Sequence, residues 1–592
     1  MSYKRTLLLA AAMLAACSRP TGPAGRTAIL SFENLSGDPR LDWMGRGFAE
    51  VLASQLATSG SMYAMGPQRL RTPGVSSGRQ ATLAAGAQRT VEGFFWRQGG
   101  ALRAEMVLRE GARTLRSARA GGADLLSVAA ELARALDPSA RPYGARSQAA
   151  VEDAVNAMES GDAGRAAQAV ARDPDYGEAW LLWARLALAR EGSAAARSIL
   201  EQACSRRIAP LERAEANLSL AVLRGESANR EHTLVEVARL APANPEPLRG
   251  LAEIAMRAHD YAKGARYLRA AAGVDAADPV LWNVLGYAET YSGNLEAAIA
   301  AFRRYESLRP RDANPLDSLA DAHLYLNRPR DAARFYLEAW RRDPNFLQGG
   351  TLYKAAWALL VAGDPAAANR TFTKYLEARR DDPLAAYRRA DWDWLTGARG
   401  RALEALSGFA AGAREELGAQ AHAHLAIWKL ESGDAAGARR EAETAARLAP
   451  RSGLARAALF MTGGGELPPG PLRDYAEAGA LLLARRFDGA IPLLRRAYQG
   501  GELGSSDPGI PVLLAWAYLE SGRWQDAGPL LAPNPIPQPG GLNPFTPLWF
   551  PRVFALRARV LEKEGKRGEA AENFRLFQAL SGSAVTASPG SR

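Results

Sequence analysis

The side chains able to act as nucleophiles, proton shuttles or metal ligands are few in this 592-residue chain: two cysteines, Cys17 and Cys204, and five histidines, His232, His259, His323, His422 and His424. A zinc site needs three or four such ligands converging. The one close pair fails that test, because His422 and His424 lie two residues apart in a helical stretch and diverge by about 200°. Gly74-Val75-Ser76-Ser77-Gly78 spells a nucleophile elbow, but no apolar strand precedes it and no helix opens at the serine, as the elbow requires. Gly45-Arg46-Gly47 hints at a dinucleotide loop, yet Glu50 holds the third glycine position, where a carboxylate repels pyrophosphate. Close helix packing is the simpler use of those glycines. Gly565-Lys566 has Val560 where a phosphate loop needs glycine. Asp381-Asp382 stands before Pro383 and reads as a helix cap, His323 as a seam residue between helices, and Cys204 as a buried structural thiol. No catalytic constellation, metal site or cofactor site emerges, so the chain is expected not to be an enzyme.

The elements that would position any site begin with an address segment. Residues 1–16 carry Lys4 and Arg5, then an apolar run from Thr6 to Ala16, too short to span a bilayer. Leu14-Ala15-Ala16-Cys17 resembles the cleavage box of a bacterial lipoprotein signal peptide. The resemblance implies that Cys17 is lipidated and becomes the new N-terminus, that the membrane is reached through this lipid alone, and, from Ser18, that the protein is sorted to the outer membrane facing the periplasm. Each buried CH₂ of such acyl chains contributes about 0.8 kcal/mol, enough in sum for stable anchoring.

A Pro/Gly-containing linker occupies 17–25, and a small α/β domain is expected over 26–140. Thr27–Phe32 reads as a strand, Leu41–Ser59 as a helix, Met62–Met65 as a second strand, and Ala123–Leu136 as a closing helix. Thr90–Trp96 and Leu102–Leu108 flank Gly99-Gly100 as a hairpin. The strings ILSFENLSGDP and VEGFFWRQGGALRAEMVL resemble the TolB-like N-terminal domain found ahead of helical-repeat arrays, which implies a regulatory or assembly role in the envelope.

Residues 147–580 repeat. From Pro279, Trp282, Leu285, Gly286, Gly293, Ala298, Phe302 and Pro310 recur with a 34-residue period, as Leu316, Leu319, Ala320, Ala332, Tyr336, Ala339 and Pro344 after it and Leu248, Leu251, Ala252, Gly264, Leu268 and Ala271 before it. This resembles the tetratricopeptide repeat. The frame continues with slips, including a two-residue insertion before Leu352, through about ten or eleven units, with breaks at 463–471 and 528–551 and a disordered tail at 581–592. The fold class expected is therefore mostly α, a right-handed superhelical solenoid of αα-hairpins behind a small α/β domain.

In such arrays the first helix of each hairpin lines the concave face. The equivalent positions here hold Asn283, Tyr287 and Tyr291, then Asp317, Asp321 and Tyr325, then Tyr353 and Trp357: an aromatic and acidic strip suited to a protein or peptide partner. The 47% apolar, 23% charged composition is globular and excludes a disordered chain. The +11 formal charge is dispersed arginine without a basic stripe, so no nucleic-acid partner is expected. The expected function is a lipid-anchored envelope scaffold binding protein through its solenoid; the competing expectation is an exported enzyme or cofactor-binding protein using the α/β domain.

Overall fold

The computed structural model describes residues 25–70, 86–413, 415–499, 509–537 and 543–581. The signal segment, Cys17, the Gly74–Gly78 string and residues 582–592 lie outside the described residues. The chain divides into two compact units, one of residues up to 256 with 263–281, the other of 257–262 with 282 onward.

The first unit opens with six strands: β1 (Arg26–Ile29), β2 (Glu33–Asn34), β3 (Tyr63–Met65), β4 (Arg89–Gln98), β5 (Ala101–Glu110) and β6 (Arg113–Gly122). Their order is β3-β1-β4-β5-β6, with β2 also pairing β4. β1 runs parallel to both β3 and β4, whereas β4, β5 and β6 form an antiparallel meander. Gly99 and Gly100, at φ 60° and 83°, make the tight turn that the sequence suggested. β6 was not foreseen. Its exposed Arg113, Arg116 and Arg119 give no apolar period; as an edge strand it takes its pairing from β5, and its charges protect the free edge.

The helix Trp43–Gln55 lies on this sheet through Phe48, whose ring meets Phe32 at 5.2 Å and Phe95 at 5.6 Å. Gly45 lets the backbones touch: the Phe32 amide donates to its carbonyl at 2.9 Å, and a Cβ on Gly45 would sit 2.2 Å from the Phe32 carbonyl oxygen. Packing is thus the use of the Gly-Arg-Gly string. Gly45→Ala is expected to destabilise by about 1–3 kcal/mol through overpacking. Gly400→Ala, in open space on the helix Arg399–Gly412, should be neutral or stabilising; comparing the two melting temperatures checks this.

The helix Leu125–Leu136 opens on an Asp124 capping box. Within this unit the apolar core runs without a break from Ile29 and Phe95 through Val151, Val155 and Trp180 to Leu220, so the sheet and the first helical hairpins share one interior. The connector between them contributes Arg141, whose guanidinium donates to Ser54 O and Glu212 Oε2, both at 2.9 Å.

Helical hairpins follow: Gln148–Ser160 with Ala163–Arg172, Gly177–Arg190 with Ser193–Cys204, Pro210–Arg224 with Ser227–Leu240, and Glu246–Arg257 with Tyr261–Val274. The second unit continues with Pro279–Tyr291 and Leu295–Leu308, Asn314–Tyr325 and Pro329–Arg342, Gly350–Val361 and Pro365–Ala378, Ala385–Leu395 and Arg399–Gly412, Glu415–Glu431 and Ala435–Leu448. These boundaries follow the 34-residue frame. The two-residue insertion falls at Phe346–Gly349, a tight turn in which Leu347 and Gln348 take φ of 50° and 55°. The small residues at the seam act as the pattern requires: a Cβ on Gly286 would lie 2.4 Å from the Phe302 ring, and Ala298 is fully buried.

After the helix Gly453–Met461, the chain leaves helix until Pro471–Leu483. The second break begins later than the sequence suggested. The helix Trp524–Leu531 runs through Gly528 and Pro529 before ending, because a proline removes one backbone donor and this helix stops two residues beyond it. A further helical turn forms at Thr546–Trp549, ahead of the last hairpin, Arg552–Lys563 and Arg567–Ser581.

Candidate functional site on the first-helix wall

In the second unit, the first helices of consecutive hairpins stand side by side and bond directly to one another. Ser318 donates to Asn283 Oδ1 at 3.0 Å, and the Tyr287 hydroxyl donates to Asp321 at 2.8 Å. Lys354, on the next first helix, reaches back to Asp317 and Asp321, each at 2.6 Å, with its ammonium 4.8 Å from the Tyr336 ring centre. Tyr336 itself donates to Asp321. The strip read from the sequence is therefore one contiguous wall, and its acidic members are interior. Asp317, Asp321 and Trp357 are buried, while Asn283, Tyr287, Tyr291, Tyr325 and Tyr353 are half-buried.

Two carboxylates share one ammonium here. Burial works against the charge on Lys354, but Asp317 and Asp321 outweigh it and hold its pKa above the ordinary value. Burial pushes the Asp317 carboxyl up, with Lys354 opposing. The two carboxylates differ in their partners: Asp321 accepts from Lys354 and two tyrosines, whereas Asp317 has only Lys354, and its Oδ1 lacks a partner.

At the C-terminal ends of the same helices sits a tyrosine cluster. Tyr291 meets Tyr325 and Tyr261, each with ring centres 5.0 Å apart, and His259 stacks on Tyr498 at 4.2 Å. The wall also meets the chain's own later residues. Trp357 packs on Phe550 at 4.6 Å and on Trp549 at 6.2 Å. Asn534 donates its backbone amide to Tyr325 O at 3.1 Å and its side-chain amide to Leu324 O at 3.2 Å. Part of the strip thus faces Asn534, Trp549 and Phe550 rather than solvent. Sequence reasoning missed Lys354, Tyr336 and Asn534. The frame could have shown Lys354 one residue beyond the Asp317-equivalent position at Tyr353, but nothing in the sequence says which distant segment lies against a wall.

The other candidates for chemistry separate. His422 pairs with Glu441 at 2.6 Å, whereas His424 is buried against Tyr387 and Asp391, so the two rings share nothing. His323 stacks on Phe335 at 5.1 Å, the seam role expected. Cys204 is partly exposed and bonds Asn217, not fully buried as expected, because it ends the last turn of its helix. Asp382 accepts from the Leu384 amide at 2.9 Å in a turn just ahead of Ala385–Leu395, but the residue at that helix's N-cap is Leu384, which makes no side-chain cap bond, so Asp382 is a turn residue and not the helix cap expected. In the first unit a cleft of about 490 Å³ is lined by Arg26, Tyr63, Arg69, Glu215 and Glu246 among others; Arg26 is already paired with Asp275 and Asp278. Among the described residues, no three His, Cys, Asp or Glu are grouped to hold a metal, and no helix is long and apolar enough to cross a membrane.

The buried His424 group has a pH signature. The Tyr387 hydroxyl donates to Gln420 O at 3.3 Å and therefore accepts from His424 Nδ1–H at 2.7 Å. This leaves Nε2 as an acceptor facing Asp391 Oδ1 at 3.5 Å. Burial pushes the imidazole down to about 3 and the Asp391 carboxyl up to about 7, the latter against the pull of Arg388. Neither Nε2 nor Oδ1 has a hydrogen-bond partner at this separation, and a protonated Asp391 beside a neutral His424 avoids burying either charge. The folded state keeps the Asp391 proton that the unfolded chain loses near pH 4, so this group makes stability fall as pH rises toward about 7; His424, neutral in the fold but protonated in the unfolded chain below about 6.5, contributes the opposite slope over nearly the same range, so the two largely offset and the carboxyl's share is exposed only when it is replaced. Asp391→Asn retains a donor and cannot ionise. Its stability relative to the parent should rise across that window and level off above it; urea unfolding at several pH values checks this, and a pH-independent difference would refute it.

The hairpins, their 34-residue period and their seam contacts define the class: a tetratricopeptide-type α-solenoid carrying a small N-terminal α/β domain. No family model matches the sequence, and no curated protein matches it. Solved structures do match in part. YrrB, described as a TPR protein with an unusual peptide-binding site, aligns at 13% identity over 31% of this chain and 96% of its own, with a TM-score of 0.28. MamA from Desulfovibrio magneticus aligns at 17% identity over 29% and 97%, with a TM-score of 0.26. The C-terminal part of a TPR repeat-containing protein from Cytophaga hutchinsonii aligns at 13% over 39% and 96%, with a TM-score of 0.34.

Proposed function

We propose that this chain is a lipid-anchored scaffold of the bacterial cell envelope that binds protein or peptide partners through its first-helix wall, with the α/β domain serving regulation or assembly. The observation that carries the reading is the row of half-buried tyrosines, Tyr287, Tyr291, Tyr325 and Tyr353, on three consecutive first helices. Amphipathic rings held rigidly in a row supply contact area at small entropic cost, which is why tyrosine dominates interface hot spots. The anchor is supported by the resemblance of Leu14-Ala15-Ala16-Cys17 to a lipoprotein box, and an outer-membrane site facing the periplasm by Ser18 after the cysteine.

Affinity capture from envelope membranes tests the wall. Tyr291→Ala with Tyr325→Ala should lower partner recovery at least tenfold, since a true hot spot is worth about 2 kcal/mol or more. Arg370→Ala with Lys374→Ala, exposed on the second helix of a hairpin, should not. Equal loss in both pairs would refute the assignment. Cys17→Ser should leave the precursor unprocessed or release the chain from the membrane; retention in high salt would refute the lipid anchor.

A further inference from the structure

The first-helix wall carries an occupant of defined chemistry, the chain's own Pro533-Asn534-Pro535-Ile536-Pro537 stretch. A helix C-terminus leaves carbonyls without intrahelical donors. At the end of Asn314–Tyr325 two of these, Leu324 O and Tyr325 O, are met by Asn534, which is buried and also bonds Asn327 Oδ1 at 3.0 Å. Its other side is held by Arg557, which donates to Asn534 Oδ1 at 2.9 Å and Pro533 O at 3.1 Å. Prolines on both sides fix φ near −65° and remove competing donors, so asparagine is delivered to the helix end by a backbone that loses little entropy on docking. One of the carbonyls it caps belongs to Tyr325, whose ring meets that of Tyr291 at 5.0 Å, and paired aromatic rings are the kind of surface on which extended proline-rich segments dock. Farther along, Trp549 and Phe550 supply an apolar anchor on Trp357.

From this self-recognition we infer that the wall's partner is an extended proline-rich segment with an asparagine between prolines, which competes with residues 533–537 and 549–550 for the Leu324 and Tyr325 carbonyls and the Trp357 ring. The inference rests on the scaffold reading and names its ligand class. A covalently attached occupant acts at millimolar effective concentration, so a partner segment in trans must displace it or find it loosened.

The test uses the full mature chain and a fluorescent synthetic peptide copying residues 532–551. Weak binding to the parent, at least tenfold tighter binding to Asn534→Ala, and at least tenfold loss on adding Trp357→Ala to that variant are expected. Replacing the prolines of the 533–537 portion by alanine in the peptide should also cost at least tenfold. Circular dichroism must match the parent in every variant. As a measurement that needs no substitution, excess peptide added to the parent should raise hydrogen exchange in residues 543–550. Peptide binding unaffected by the proline replacements, or no binding to a folded Asn534→Ala chain, overturns the inference. If membrane capture then still returns a partner sensitive to the Tyr291/Tyr325 pair, the ligand class falls while the scaffold reading stands; loss of both results removes the scaffold reading as well.

Discussion

Replacing Lys354 by methionine is expected to destabilise the second unit by about 3–5 kcal/mol, the usual cost of stripping one partner from a buried ion pair. The ammonium is 4% exposed and is the only cation within bonding distance of Asp317 and Asp321 among the described contacts. Methionine keeps the length and apolar stem but leaves two carboxylates on one helix, a turn apart, out of water. One must take up a proton, and Asp317, with a single donor, is the one placed to do so. The deficit should therefore be largest at pH 8 and shrink toward pH 5. Adding Asp317→Asn to Lys354→Met should recover most of the loss, since Asp321 retains the Tyr287 and Tyr336 hydroxyls. Urea unfolding of the four chains completes the cycle. A single-variant cost below about 1 kcal/mol, or no recovery in the double variant, would show that the network does not hold the wall.

The repeat was legible because its signal is local and periodic. Gly286 and Ala298 are small where two helices must approach, and Phe302 is large where the seam must be filled, so 34-residue spacing fixes both helices of a hairpin at once. The β4–β5 hairpin was legible for the same reason, through Gly99-Gly100 and its alternating flanks. β6 was not, because an edge strand stabilised by a neighbour needs no apolar period of its own.

The wall residues were legible as positions but not as environments. Burial of Asp317, Asp321 and Trp357 depends on partners supplied from elsewhere: Lys354 is 37 residues from Asp317, and Phe550 lies far beyond Trp357 in the chain. The proline-rich break was legible as a departure from helix. Its docking was not, because prolines announce a conformation without naming the surface that accepts it.

The second large effect is expected at a residue that reads as mere linker. Arg141 follows Pro138-Ser139-Ala140, a stretch resembling a domain boundary, yet its guanidinium joins three elements of the first unit: it donates to Ser54 O and Ser54 Oγ on the sheet domain's helix, and pairs with Glu212 and, at 3.6 Å, with Glu178 on two repeat helices. Glu212 is 3% exposed. Burial, with the Glu212 charge beside it, pushes the Glu178 carboxyl up, and Arg141 opposes that rise. Arg141→Leu removes the one cation, among the described residues, paired with both buried Glu212 and half-buried Glu178 and leaves the two carboxylates facing each other, so a loss of about 3–5 kcal/mol is expected. Glu212→Gln added to it should restore much of the stability, whereas Glu212→Gln alone should cost less than Arg141→Leu, because arginine still keeps Glu178 and Ser54. Hydrogen exchange locates the effect: Arg141→Leu should raise exchange in the helices Trp43–Gln55, Gly177–Arg190 and Pro210–Arg224 together, since one side chain ties all three. Exchange that rises only in residues 138–147 would mean that the connector is a tether, and that the continuous apolar core from Ile29 to Leu220 holds the sheet to the first hairpins without it.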